Sequence, residues 1–402
     1  MVMAMTRIEV SHSITLPDPV RVARALRAPE LGPKLLFFSG GSALRKLSRR
    51  LKEYTHNSIH LITPFDSGGS SAKLREAFGI LSIGDLRNRL MALADETQAG
   101  NPEIYRLFNY RFSKSAPQTE LRAQLAAMVD GEHQYVSDIR RPLRRLVRTH
   151  LRLFAERMPN DFDLRGASIG NLILAGGLLN NEGDIASVIF LFSQLVEVRG
   201  IVRPVSDADL HLRAELGDRT ILVGQHLLTG KETNPITAPV TSMTLVDSLD
   251  DARPATAHID SEVRQLIGSA DLICYPMGSF YSSVLASVLP EGVGRAVAAC
   301  DCPKVCIPNT GEDPEQLGMT LSDTVSRLLD ALRADCGGEA TTRDLLQFVM
   351  LDVDDTHYSI ELDIEATRDL GVEVIRLPLV SARSAPRVDA ATLSEVLVSL
   401  GS

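Results

Sequence analysis

The stretch Lys34-Leu35-Leu36-Phe37-Phe38-Ser39-Gly40-Gly41-Ser42 is answered further on by Ser58-Ile59-His60-Leu61-Ile62-Thr63-Pro64-Phe65-Asp66-Ser67-Gly68-Gly69-Ser70-Ser71. Each is an apolar run of strand length that ends in glycine and serine. Between them Leu44, Leu47 and Leu51 recur on one helical face. Strand, helix, strand in that order is a βαβ unit, so the two strands are parallel and their carboxyl ends share an edge. Loops without side-chain bulk let backbone N–H groups and serine hydroxyls approach an anion, and a helix N-terminus behind them favours negative charge. The expected ligand carries phosphate, and a side chain placed at Gly41 or Gly69 is expected to fill the phosphate position.

Outward from this unit the pattern continues. Residues 1–32 read as an N-terminal extension: a short strand, then a helix beginning near Asp18-Pro19 with Val20, Val22, Ala25 and Leu26 as a partial apolar face. Gly84-Asp85 opens a helix with Leu86, Leu90, Leu93 and Ala94 on one side. Residues 95–165 are arginine-rich and helical in pattern, an insertion or cap. A glycine-rich helix start follows at Gly166-Ala167-Ser168-Ile169-Gly170-Asn171, and residues 200–260 alternate short strands with turns.

Two further buried strands, 270–275 and 304–307, end at Pro276-Met277-Gly278-Ser279 and Pro308-Asn309-Thr310-Gly311; strands at 348–351 and 372–377 and a helix at 391–400 complete the chain. Four strands thus end in small or polar residues, and open parallel sheets bind ligands at such ends. The expected fold is α/β: a Rossmann-like open, mostly parallel sheet over residues 33–400, with the helical insertion and the N-terminal extension.

Composition narrows the class. With 402 residues, 44% hydrophobic and 23% charged, the chain is ordinary globular protein. A net charge of −9 and an aromatic content of 5% without tryptophan argue against a nucleic acid polymer as partner. The first residues lack a basic region followed by a long apolar run, and no segment reaches the length of a membrane span, so neither secretion nor a membrane is expected. Five cysteines in such a chain suit reduced thiols and a cytoplasmic setting. Cys300-Asp301-Cys302 and Cys306 read as packed small hydrophobes rather than metal ligands, and the nine histidines show no ligand spacing. There is no G-x-G-x-x-G, no P-loop lysine and no G-x-S-x-G elbow.

Asp66 closes the second strand, where an acid accepts from a ribose hydroxyl, holds Mg²⁺ beside a diphosphate, or caps the next turn. Asp85 and Asn88 project from one side of their helix, with a plain N-cap the alternative for Asp85. The arginines between 139 and 152 read as a solvated helix face, some of them within reach of phosphates.

Taken together, Gly40-Gly41-Ser42, Asp66-Ser67-Gly68-Gly69-Ser70-Ser71-Ala72-Lys73-Leu74-Arg75 and Gly84-Asp85-Leu86-Arg87-Asn88 resemble the 2-phospho-L-lactate transferase superfamily. Gly166 to Asn171, Gly278-Ser279-Phe280-Tyr281-Ser282-Ser283, Asn309 to Glu312 and the tail 370–375 extend the resemblance. Within the superfamily it is strongest to the gluconeogenesis factor branch, whose members bind nucleotide sugars. The resemblance implies a homodimer binding a nucleotide diphosphate or nucleotide sugar. Ser39, Gly40, Gly41, Ser42, Gly68, Gly69, Ser70, Ser71, Asn88, Gly170, Asn171, Gly278, Ser279, Ser282, Ser283 and Asn309 would form the binding surface. Asp66 and Asp85 would be catalytic, with Asp66 on Mg²⁺.

The transferase branch moves a phosphate-linked acyl unit from a guanosine diphosphate conjugate to a deazaflavin alcohol. Against the family pattern, Ser67 stands for a second aspartate, Ala167 and Thr324 stand for histidines, and Pro276-Met277 stand for glycine-proline. Two functions follow as expectations: a transferase acting on a nucleotide-diphosphate conjugate, or a non-catalytic nucleotide-sugar-binding regulator.

Overall fold

The computed structural model describes residues 13–97, 100–181, 183–230 and 233–401. Eleven strands run through them: β1 (Leu35–Ser39), β2 (Ile59–Ile62), β3 (Ile201–Pro204), β4 (His211–Leu216), β5 (Ile221–Val223), β6 (Val240–Val246), β7 (Pro254–Ala255), β8 (Leu272–Tyr275), β9 (Lys304–Cys306), β10 (Phe348–Asp352) and β11 (Glu373–Leu377). Seven form one parallel sheet in the order β3-β2-β1-β8-β9-β10-β11. Leu36 lies opposite Ile59 on one side and Ile273 on the other, which fixes the register at the centre. Leu35 to Phe38 are fully buried, as an uninterrupted apolar run in a sheet covered on both faces should be.

The order has a physical consequence. From β1 the sheet grows outward through β2 to β3, then the chain returns and lays β8 on the other side of β1. At that reversal the connections leave the sheet on opposite faces, which opens a crevice beyond the carboxyl ends of β1 and β8. The expected Rossmann-like architecture is present.

Helices cover both faces. Arg45–Leu51 and the C-terminal Ala390–Leu400 pack together over Leu35 and Phe37. The stretch expected as an insertion is helical, with Pro102–Asn109, Gln118–Asp130, Gln134–Ser137 and Leu143–Arg157 gathered around the buried helix Ile169–Asn180. Gly176 permits that packing: a β-carbon there would lie 2.0 Å from the carbonyl oxygen of His150.

Residues 200–260 alternate short strands with turns, as expected; only β3 joins the parallel sheet, and β4 to β7 form a separate antiparallel sheet in the order β5-β4-β6-β7. In β4 burial alternates strictly, so one face packs and the other meets solvent. The helix Pro19–Arg27 starts as expected, with Asp18 accepting from the N–H groups of Val20 and Arg21. Its apolar face is narrower than the sequence suggests, however. Ala25 is buried and Val22 packs, but Val20 and Leu26 are exposed, because Arg21 and Asp18 turn the helix to bond Ser399. The strand expected ahead of it lies outside the described residues. Among those residues no helix is long and apolar enough to cross a membrane.

Candidate functional site

The crevice at the carboxyl edge is a cleft of about 870 Å³, within the range of small-molecule sites. Its walls include Ser39 to Ser42, Asp66, Gly68 to Ser71, Asp85, Asn88, Asn171, Gly278, Ser279, Ser283 and Asn309, so the structure brings almost all the candidate residues together. Gly170 and Ser282 are not among them. A β-carbon on Gly170 would sit 2.7 Å from the carbonyl oxygen of Phe108 and 2.8 Å from Cδ of Arg87, so this glycine serves helix packing. Ser282 is buried beneath the cleft, where its N–H and hydroxyl both donate to Glu315.

The loop after β1 is held from two sides. Beneath it Arg89, with no exposed surface, donates to the carbonyl oxygen of Gly40 at 2.8 Å, to Ser39 Oγ at 3.3 Å and to Ser48 Oγ. Burial pulls Arg89 down to about 10, with Asp85 opposing the shift. Across the cleft floor Asp85 leans on the glycines: a β-carbon on Gly41 would lie 1.9 Å from its Oδ1, and one on Gly40 would lie 2.5 Å from Ser283 Oγ. Asp85 stands in the first turn of Gly84–Leu93 rather than at its N-cap, which is Ile83, so the plain capping reading does not hold. A side chain at Gly41 therefore meets Asp85 before any ligand. At Gly69 the obstacle is the backbone, with φ at +53°.

Asp66 makes the turn expected of it, accepting from the N–H of Gly68 at 3.0 Å. Its carbonyl oxygen accepts from Arg75, which is anchored in turn on Asp209 and the carbonyl of Leu210. The adjoining helix Gly69–Phe78 and the helix Ile169–Asn180 both begin at the cleft without a side-chain cap or an acidic residue in the first turn. Their starts are joined by Asn171 Nδ2 donating to Ser70 Oγ at 3.1 Å. Asn171 Oδ1 and Arg87 Nε are buried there without a hydrogen-bond partner, as groups awaiting a ligand would be.

Sequence reasoning passed over the cations. Arg45, Lys46, Arg87, Arg111 and Arg387 line the cleft. Arg87 is buried, donating to Asn88 Oδ1 at 2.7 Å, and burial followed by the nearby charges of Arg111 and Arg45 lowers it to about 10. Among the described residues none of Arg45, Arg87 and Arg111 has a carboxylate within 4 Å. The arginines between 139 and 152 are not in the cleft walls.

On the far wall Asn309 clasps Gly278, accepting from its N–H at 2.8 Å and donating to its carbonyl at 2.6 Å. Asp313 accepts from Asn309 and from the N–H of Phe280, and Glu315 holds Ser282, so two buried carboxylates brace the π-helical turn Phe280–Leu285. Burial, then the neighbouring Asp313, pushes Glu315 up to about 7.

At the positions that depart from the family pattern, Ser67 shares a 2.8 Å hydrogen bond with Nδ1 of His226 and accepts from its backbone N–H. His226 reaches the cleft from the short helix after β5, with Gln225 and Thr229 beside it. Gly224, at φ +109°, makes the turn that places it. Ala167 is buried, and Thr324 is buried between Gln316 and the carbonyl of Thr320.

No group of three or more His, Cys, Asp or Glu among the described residues forms a self-contained metal site. Asp66 and Asp85 bring two carboxylates to the cleft, the number a Mg²⁺ would take from protein if phosphates and water supplied its remaining ligands.

Comparison with known proteins places this geometry. The model of the family 2-phospho-L-lactate transferase CofD matches residues 35–380. A gluconeogenesis factor of Bacillus subtilis is 28% identical over 375 residues, covering 92% of this chain and 98% of that one. A relative from Nostoc sp. is 27% identical over 359 residues, and this chain spans 63% of its length. A solved structure of a UPF0052 family member from Bacillus halodurans superposes with a TM-score of 0.66 at 25% identity, covering 91% of this chain and 98% of that one.

Proposed function

The chain belongs to the 2-phospho-L-lactate transferase CofD family, and from that premise we propose that it binds a nucleotide-diphosphate conjugate across the β1–β8 crevice and transfers a phosphate-linked group from it. The observation that carries the reading is the opposition of two chemistries in one cleft. One wall offers two helix starts without side-chain caps and three arginines, Arg45, Arg87 and Arg111, that have no carboxylate within 4 Å among the described residues, while the floor carries Asp66 and Asp85. A diphosphate satisfies the first, and the two acids address what forms around it.

In this reading the glycine loops take the phosphates on backbone N–H groups, and Arg45, Arg87 and Arg111 neutralise their charge. Asn171 Oδ1 accepts from a hydroxyl of the conjugate. Displacement at phosphorus needs in-line placement and charge stabilisation more than a protein nucleophile, and fixed dipoles in a partly closed cleft supply both. Mg²⁺ held by Asp66 and Asp85 would stabilise charge on the diphosphate oxygens. His226, held through Nδ1 by Ser67, lines the cleft and would take the proton of an acceptor hydroxyl.

A second reading has its own support. Ser67 is committed to His226, and Ala167 and Thr324 offer the cleft no polar group. Relatives carry the name gluconeogenesis factor rather than an enzyme's. A regulator that binds a nucleotide sugar without consuming it needs the cradle and not the acids.

A melting-temperature screen of nucleoside diphosphates and nucleotide sugars, with and without Mg²⁺, identifies the ligand; at 100 times its dissociation constant it should stabilise the fold by about 2.7 kcal/mol. Asp66→Asn keeps the bond to Gly68 while removing the charge. Incubation of both proteins with the conjugate, Mg²⁺ and a panel of alcohol and phosphate acceptors is then followed by mass spectrometry. The transferase consumes the conjugate, and the variant does so slower by orders of magnitude. A conjugate left intact by the native protein across the panel, with metal-independent affinity, decides for the regulator.

A further inference from the structure

On the sheet edge opposite the cleft, the loop into β9 carries Cys300, Asp301 and Cys302. The two sulfurs are 3.4 Å apart and share a hydrogen bond, while Asp301 between them is exposed. Core packing alone does not ask two thiols to face each other. The remaining interior cysteines, Cys274 and Cys306, lie inside strands and have their thiols pushed up by burial.

Cys300 is different. The hydrogen bond it shares with Cys302 favours the Cys300 thiolate against the opposing effect of burial, and so does the ammonium of Lys304, which is buried at the start of β9 and donates to the carbonyl oxygen of Cys300. Both effects lower Cys300 while Cys302 is raised. That division gives one sulfur the character of an attacking group and leaves the other to resolve.

We propose that Cys300 and Cys302 are a reversible thiol–disulfide site, oxidised by hydroperoxides. The Cys300 thiolate attacks the peroxide: an S–O bond forms, the O–O bond breaks, and the departing oxygen takes up a proton to leave as water or an alcohol. Cys302 then attacks the sulfenic acid; an S–S bond forms, the S–O bond breaks, and hydroxide leaves as water with the Cys302 proton. Two thiols lose two electrons and two protons, and the peroxide is the acceptor of both.

The geometry permits the bond. Residues two apart have α-carbons within about 7 Å, and a disulfide spans up to about 6.8 Å, so the sulfurs need close by little more than 1 Å. A ring closed over a single intervening residue is strained, which places the bond among labile, reducible disulfides rather than structural ones. With 5% and 9% of their surfaces exposed, the two residues admit a small oxidant and little else.

The test uses the full chain, reduced and then treated with graded hydrogen peroxide, denatured with N-ethylmaleimide, and digested with trypsin. Residues 296–304 form one peptide containing both cysteines and no other. The expected product is that peptide lighter by two hydrogens and unlabelled, restored to double labelling by dithiothreitol, while Cys274 and Cys306 stay labelled throughout. Cys302→Ser should stall at a sulfenic acid on Cys300 that dimedone traps, with at least tenfold less adduct on Cys302 in Cys300→Ser. If the serine variants do not fold, the native peptide map decides alone. Double labelling of the peptide at peroxide doses that already oxidise methionines overturns the proposal, as does direct passage to sulfinic acid without the unlabelled form.

Discussion

Gly41→Ala should cost stability through Asp85. The backbone at Gly41 lies outside the left-handed region, so alanine brings no intrinsic strain. Its methyl group, however, would sit 1.9 Å from Oδ1 and 2.5 Å from Cγ of Asp85, where ordinary contact needs well over 3 Å. Either the carboxylate leaves its rotamer or the loop lifts from the cleft floor. Overpacking of this kind costs about 1–3 kcal/mol. Unfolding entropy of about 2.1 cal/mol/K per residue gives a chain of this length roughly 0.8 kcal/mol/K, so a penalty of about 2 kcal/mol lowers Tm by about 2–3 °C.

The cause is isolated by a double-mutant cycle. Asp85→Ala empties the space, so Gly41→Ala added to it should cost almost nothing, a coupling of at least about 1 kcal/mol. Affinity behaves differently. Calorimetry with the nucleoside diphosphate from the ligand screen should show weaker binding in Gly41→Ala, because the loop that receives the phosphates has been displaced. Strictly additive melting shifts would refute the account, since the methyl group would then be meeting something other than Asp85.

Two further outcomes follow from the walls of the cleft. Arg111→Gln removes a charge with no ion-pair partner among the described residues, so it should leave Tm within a degree and weaken a diphosphate ligand about tenfold, the worth of one charge-assisted bond; unchanged affinity by calorimetry would remove Arg111 from the proposed phosphate-binding wall. For Glu315, the folded protein holds a proton that the unfolded chain releases near pH 4.5. Between there and about 7 the native state binds more protons, so stability falls as pH rises through that window and levels off above it, by on the order of 3 kcal/mol. Glu315→Gln can still accept from the Ser282 N–H and pair with its hydroxyl, and it should flatten that slope and be the more stable protein at pH 8. Parallel denaturation curves for both proteins from pH 5 to 8 would show the group does not titrate there.

The strands were legible because they are apolar runs of strand length, broken only by His60: Leu35 to Phe38, Ile59 to Ile62 and 272–275 look buried and are. The glycine loops were legible because each closes such a run. What stayed hidden depends on contacts between distant segments. Arg87 and Arg89 sit in an otherwise leucine-rich helix and look like its solvent face, yet both are buried under the cleft, where backbone carbonyls receive them. His226 lies 159 residues from Ser67, in a stretch whose short strands gave no sign of forming their own sheet. Gly170 and Ser282 do not line the cleft for a related reason. A motif marks where a loop is tightly built, and at these two positions the tightness serves Phe108 and Glu315.

The chain that leaves β3 makes a long excursion before it returns as β8, and the antiparallel sheet is what it builds on the way. In the proposed reading, Gly40, Gly41 and Gly69 would recognise phosphate by their bareness and so would treat every diphosphate alike. Discrimination would fall to the bordering segments: Gln225, His226 and Thr229 on one bank, Asn171 on the other. Neither bank belongs to the parallel sheet. On that reading the bank carried by residues 205–270 is separable from the loops of the parallel sheet, and grafting that segment from a relative should change which conjugate is preferred while leaving the affinity for a plain diphosphate intact.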